Sequence, residues 1–171
     1  MQSLMLNRYA GLYCNDIEVE IKNSTITHSY GVETTAGTKP SAFTQLTRVN
    51  SIGGISIEPE TIDASALEDT VEKSIAGRGS TGGQWEVVVN YTADTASEWE
   101  TLISAYNTAA LAGKQMWFEV IVPTLTDGFF VIAQPPQEVP MPELSQNELL
   151  TVTMNLTVVS YEGTSTKVAF T

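Results

Sequence analysis

The sequence predicts a mainly β protein, an antiparallel β-sandwich or barrel with one flanking α-helix and long loops, and three observations predict it. Apolar and polar residues alternate from Leu150 to Val158 and nearly so from Trp85 to Thr92, the period of a half-buried strand. One stretch alone, after Asp94, repeats its apolar residues at helical spacing. The other apolar runs are short and are separated by loops rich in Gly, Pro, Ser and Thr. Many strands with one helix must bury sheet against sheet, or close a sheet on itself.

Taken in order, Ile17, Val19 and Ile21 alternate with Glu18 and Glu20 as a strand, and Lys22, Asn23 and Ser24 read as the turn that ends it. Thr25 to Tyr30 is its expected return partner. The segment GVETTAGTKPS from Gly31 to Ser41 is polar, with two glycines and a proline, and reads as a loop or arm. Phe43 to Val49 is the next strand, with Phe43, Gln45, Thr47 and Val49 opposite Thr44, Leu46 and Arg48. Ile52, Gly54 and Ser56 alternate with Ile55 and Ile57 until Pro59, which has no N–H for a ladder, so pairing is expected to resume only at Trp85. The loop between is long for a compact domain, and Ile62, Ala66, Leu67, Val71 and Ile75 give it apolar side chains to hold against a partner.

The Trp85 strand sends Trp85, Val87, Val89 and Tyr91 to one face and Glu86, Val88, Asn90 and Thr92 to the other. Thr95 and Glu98 fit a capping box, Trp99, Leu102, Ile103, Tyr106, Ala109 and Ala110 form the helix's apolar stripe, and Gly113 stops it. Met116 to Val122 has few polar interruptions, the pattern of a strand buried on both faces, and Phe129 to Ala133 pairs with it across Thr126-Asp127-Gly128. Pro135, Pro136, Pro140 and Pro142 make an extended connector. In the last long strand Leu150, Val152, Met154, Leu156 and Val158 point inward and Thr151, Thr153, Asn155 and Thr157 outward. TSTKVAFT, residues 164–171, reads as a tail or as a terminal strand that pairs with a neighbouring molecule.

At 171 residues with 42% hydrophobic composition, the chain is expected to be one domain, 1–171, with 1–30 an N-terminal segment and 164–171 a C-terminal tail. Cys14 is the single cysteine, so no internal disulfide framework exists, and a thiol beside a core is the simple reading of it. Arg8 interrupts the N-terminal apolar patch too early for a signal peptide, and no run reaches the length of a membrane span. A net charge of −12, from 20 acidic and 8 basic residues, argues against a surface that grips nucleic acid through its phosphates.

The chemistry-bearing motifs are thin, and no enzyme, cofactor or metal is expected. Gly77, Gly79 and Gly82 match the spacing of a dinucleotide fingerprint, but a strand follows them where that motif needs a helix. Gly83 and Gln84 stand where a phosphate-binding loop would need Lys and Ser or Thr. His28 is the only histidine and no serine sits in a nucleophile elbow, so a triad finds no partners. One His and one Cys do not make a zinc shell, and Glu58, Glu60 and Asp63 lack calcium-loop spacing. Trp85, Trp99 and Trp117 suggest a sugar-stacking platform only if exposed, and their aliphatic neighbours favour core positions.

One series of segments carries a resemblance. ETIDASALED from Glu60 to Asp69, AGRGSTGG from Ala76 to Gly83 running into a strand, the helix after Asp94, the strand around Trp117, TDGFFVIAQ from Thr126 to Gln134 and the closing strand from Leu149 to Tyr161 together resemble the tail tube, or major tail, proteins of long-tailed (siphophage-like) bacteriophages. The resemblance covers roughly 30–161 and is most specific in the acidic loop. It implies a structural subunit that closes into six-membered rings, stacked into a hollow conduit for DNA. It also implies a place in the virion tail after assembly in the host cytoplasm, with other copies of itself, a tape-measure protein, a tail terminator and a distal tail protein as partners. The related tube of a contractile tail, bacteriocin or secretion system, or a monomeric binding module, is the alternative.

Under that resemblance Glu60, Ile62, Asp63, Leu67, Glu68, Asp69, Val71, Ile75 and Arg78 are expected to make contacts between subunits and rings. The arm at Gly31 to Ser41 and the N-terminal segment are expected to join them. Glu86, Asn90, Thr151, Thr153, Asn155 and Thr157 are expected to face the lumen, because they offer no cation to passing phosphates.

Overall fold

The computed structural model describes residues 26–66, 70–80, 83–146 and 148–168. Among them are nine strands: β1 (Thr27–Val32), β2 (Thr44–Leu46), β3 (Val49–Ile52), β4 (Glu58–Asp63), β5 (Ser74–Ser80), β6 (Gln84–Asn90), β7 (Met116–Ile121), β8 (Asp127–Gln134) and β9 (Thr151–Thr166). One helix, α1 (Ala93–Leu111), lies between β6 and β7. Among the described residues the fold is mainly β with one flanking helix, as the alternation predicts. The expected strand Ile17 to Ile21, the first part of the N-terminal segment, Cys14 and the last three residues of the tail fall outside the described residues.

Seven strands form one sheet in the order β2-β1-β7-β8-β9-β6-β3, with every neighbouring pair antiparallel. Its two edge strands, β2 and β3, are joined only by Thr47 and Arg48. Strands lie about 4.8 Å apart, so the edges of a flat seven-stranded sheet would be about 29 Å from each other. The link spans at most about 11 Å. The sheet is therefore curled on itself, and β2 and β3, which run in the same direction, act as two halves of one bent strand serving both edges. Arg48, at φ 54, is the bend and the one non-glycine residue with positive φ among those described.

Closure explains the core. Trp85, Val87 and Val89 of β6, Met116 and Phe118 of β7, Val131 and Ala133 of β8 and Val152, Met154, Leu156 and Val158 of β9 form one buried cluster with Leu46. Trp99, Leu102 and Ile103 of α1 join it, so the helix covers the barrel end where β6 finishes and β7 begins. The helix starts one turn before the expected box. Its N-cap is Thr92, whose side chain accepts from Thr95 N while Thr95 Oγ1 accepts from Thr92 N. Glu98 serves another purpose, accepting from Thr47 N (3.0 Å) and Thr47 Oγ1 (2.7 Å) and so tying the helix to the bent strand. Ala110, on the predicted stripe, is exposed.

A second cluster, Phe43, Trp117, Phe130 and Ile132, lies on the outer face of β7 and β8, so β7 is buried on both faces as its composition predicts. The arm after β1 covers it. Glu33, 2% exposed, accepts from Gly37 N (3.0 Å), Gln115 N (3.1 Å) and Trp117 Nε1 (2.9 Å). Lys39 Nζ lies 3.5 Å from the centre of the Phe130 ring and donates to Ser165 Oγ (2.7 Å) and Thr166 O (3.0 Å). The segment expected as a loop or arm, and as an inter-subunit contact, thus has partners within its own chain. Residues 164–166, expected as tail, belong to β9 and pair with Asp127 to Phe129 of the same chain.

Candidate functional site

Two surfaces gather the residues that the sequence singles out, and the first is a hairpin. Pairing does not stop at Pro59. β4 and β5 form a two-stranded sheet of their own, with Pro59 opposite Gly79 and Ile62 opposite Ile75. In a lone hairpin both strands are edges, so a proline is tolerated wherever its missing N–H would have pointed outward. Every residue of β4 is exposed.

The glycine-rich run is explained by this pairing. A Cβ on Gly79 would sit 2.6 Å from Ile57 Cγ2, and one on Gly77 would sit 3.2 Å from Ile62 Cδ1. Bare glycines there let Ile57 and Ile62 lie across β5, beside Ile75. The result is an apolar face on which Ile57, Ile62 and Ile75 are each about half exposed, at 52%, 51% and 57%. None of the three packs against either buried cluster. Val71, near the hairpin's tip, is 71% exposed. Ile57 was outside the expected contact set, although the alternation of Ile55 and Ile57 into an Ile-Gly pairing was a signal that could have found it.

The tip is fastened by side chains. Asp63 Oδ1 accepts from Ser65 N at 2.9 Å, and Ser65 Oγ accepts from Lys73 N at 2.9 Å. Hydrogen bonds from the Ser65 hydroxyl and from its backbone N–H hold the Asp63 carboxyl below the usual aspartate range. Asp63 therefore shapes the turn, while Glu60 and Arg78 are simply exposed. Leu67, Glu68 and Asp69 lie outside the described residues.

The second surface is the outer face of β6 and β9. Glu86 pairs with Asn155, Asn90 with Thr151, and Gln84 with Thr157, while Thr153 faces Val88. All six of the residues predicted for one face, Glu86, Asn90, Thr151, Thr153, Asn155 and Thr157, are exposed or half-buried and none is basic. Asn50 Nδ2 donates to Asn90 Oδ1 (3.3 Å), extending the polar face to β3.

The residues weighed for catalysis lie elsewhere. His28 is 1% exposed, with Nδ1 and Nε2 both lacking a hydrogen-bond partner, stacked on Phe118 and edge-on to Trp85. Trp85, Trp99 and Trp117 are buried, at 2%, 0% and 8% exposure, so none offers a stacking platform. Among the described residues no three of His, Cys, Asp and Glu come together as a metal site, and no helix is long and apolar enough to cross a membrane.

No family model matches the sequence, and no curated protein matches it. Among solved structures, the fold is similar to that of a chain in the sixfold-symmetrised cryo-EM structure of the anti-feeding prophage (AFP) baseplate. The TM-score is 0.50 at 9% identity, over 79% of this chain and 89% of that one. A chain from the tail of an empty GTA particle, from helical refinement with C6 symmetry, gives a TM-score of 0.48 at 15% identity, over 83% of this chain and 95% of that one.

Proposed function

We propose that this chain is a structural protein of a phage-type tail, the subunit of its tube, which closes into rings that stack into a hollow conduit for DNA. The observation that carries the reading is the β4–β5 hairpin. A two-stranded hairpin is marginally stable alone in water. This one presents Ile57, Ile62 and Ile75 on a single face with no core of its own to cover them. A neighbouring subunit would supply the missing layer.

The fold likeness to a chain of a sixfold baseplate supports a ring-forming role. A heterologous contact repeated by a closing rotation gives a ring. Stacking then needs a second contact along the axis, for which the hairpin is the suitable element. The outer face of β6 and β9 is suited to the lumen, because threonine and asparagine offer no cation and so release no counterions from passing DNA. Net charge −12 has the same sign of effect. Tape-measure, terminator and distal tail proteins would be its partners, and the virion tail its place.

A second reading, a ring subunit within a baseplate or a contractile-type tube, is favoured by the baseplate origin of the similar chain. Electron microscopy of the purified protein at high concentration tests the proposal. Rings or hollow tubes of uniform width are the expected outcome. Monodisperse particles of single-chain mass at every concentration, with and without co-expressed tail proteins, would overturn it.

A further inference from the structure

On the outer face of β7, two residues on from Trp117, stands a buried carboxyl, Glu119, directly across from Ser29 of β1. Both residues are 0% exposed. Gly128 on β8 makes room for it, because a Cβ there would lie 3.1 Å from Glu119 Oε1. That oxygen accepts from Val168 N at 2.8 Å. Glu119 Oε2 and Ser29 Oγ have no hydrogen-bond partner, and a buried oxygen without a donor is a costly place for negative charge.

Residues 165–168 run beside this carboxyl as a strap with further fastenings. Lys39 Nζ donates to Ser165 Oγ and Thr166 O, Lys167 Nζ donates to the carbonyls of Val122 and Leu125, and the Val168 side chain packs on the Phe43, Trp117, Phe130 and Ile132 cluster. We infer that Glu119 is a proton-operated latch for this strap. With a neutral carboxyl, residues 165–168 lie closed on the outer face. Ionisation of Glu119 favours a state in which Lys167 and Val168 have lifted and water reaches the carboxylate. The latch belongs to one chain and does not rest on the tube reading.

The charged groups around Glu119 are Lys39 from the arm and Lys167 from the strap, with Asp127 of β8 acting on Lys39. Burial raises the Glu119 carboxyl above the usual glutamate range, and it prevails over the Val168 N–H, Lys39, Ser29 and Lys167, which pull the other way. The closed state therefore keeps its proton to higher pH than the open one, and opening releases it. Opening is flat below the ordinary glutamate value and grows easier as pH rises from there to the raised one, by at most about tenfold per pH unit. His28 inside the barrel has the opposite sign, since it weakens the whole fold as pH falls, so strap opening and global unfolding are separable.

Amide hydrogen exchange of Val168, followed by NMR on the full-length protein as a single chain between pH 4.5 and 7, tests the latch. Each rate is divided by that of an unstructured peptide at the same pH. Protection at Val168 should fall at least about threefold as pH rises, while the Phe118 amide of β7 shows no such fall. E119Q keeps an oxygen to accept from Val168 N and carries no charge, so its protection should stay high and level with pH. Protection at Val168 in the wild-type chain that is level or rises with pH, or is absent throughout, overturns the inference without needing any variant to fold. A pH slope in E119Q equal to that of wild type also overturns it, because another group would then operate the strap.

Discussion

The imidazole of His28 on β1 stands edge-on to the indole of Trp85 on β6, ring centroids 5.3 Å apart at 85°. Three strands separate β1 from β6 in the sheet order, so this contact crosses the barrel interior and exists only because the sheet closes. Phe118, stacked on His28 at 5.5 Å and edge-on to Trp85 at 5.9 Å, completes the cluster.

That position makes His28 a liability in acid. Burial without a partner pulls its pKa from 6.5 down to about 3. Between those values the unfolded chain binds a proton that the folded one refuses. The stability present above pH 6.5 is therefore lost as pH falls, at up to roughly 1.4 kcal/mol per pH unit. His28→Leu, similar in volume and free of unpaired nitrogens, should be more stable than wild type, with an advantage that widens as pH falls from 6.5 toward 4.5. Urea unfolding across that range measures it. A constant difference between the two proteins would show that His28 is not protonated on unfolding as argued.

Glu33 is the anchor of the arm over the outer cluster. Burial works to raise its carboxyl, but the hydrogen bonds from Trp117, Gln115 and Gly37 outweigh it and hold the pKa below the usual glutamate range. Its contribution is thus present above the unfolded glutamate value and lost as pH falls through the lowered folded one. Glu33→Ala strands three donors and should cost about 3 kcal/mol or more at pH 7. Glu33→Gln should recover part of that loss. Denaturant melts at pH 7, with hydrogen exchange over 33–40, give both numbers.

The hairpin's apolar face should matter to assembly and not to folding. Ile62→Lys with Ile75→Glu removes no side chain from either buried cluster and sets opposite charges across the β4–β5 pair, so the unfolding free energy should change little, within about 0.5 kcal/mol of wild type. Rings or tubes should be lost in electron micrographs. Normal tubes from the double variant would remove the hairpin from the axial contact.

Lysine on the polar face should act on DNA alone. Thr153 and Asn155 are exposed, on a strand whose intervening residues are buried, so T153K/N155K leaves the core untouched. Particles built from it should eject DNA more slowly at low salt, with the delay shrinking as salt rises, because each added phosphate contact is a counterion-release contact. Ejection at the wild-type rate at all salt concentrations would place that face away from the lumen.

What the sequence makes legible follows the range of the interaction involved. Alternation from Thr151 to Val158 reads directly as buried and exposed faces, since successive side chains of any strand point to opposite sides. The helix is legible from its stripe, but its start is not. Thr92 and Thr95 are both able caps, and the choice falls to Thr92 because β6 ends at Asn90, whose carbonyl accepts from Thr95 Oγ1 at 2.9 Å. Pro59 misleads because it is read as ending a ladder, when the partner β5 lies beyond the tip of the loop and accepts a proline on an open edge. Glu33 was hidden in a polar run, and its burial depends on Trp117, which lies 84 residues away.

By itself, then, the sequence determined the mainly β class, the helix between β6 and β7, the inward side of β6 and β9, the absence of basic residues from the predicted positions of their outward face and the surplus of apolar residues in the acidic loop. All of these are properties of neighbours along the chain. The tertiary structure alone decided that the sheet closes through the bent strand at Arg48, that His28 and Trp85 meet inside it, that the arm folds back over Trp117, and that the acidic loop is a hairpin with one bare apolar face. Each depends on contacts between distant residues, whose pairing is selected by the closure of the whole sheet rather than by any local preference.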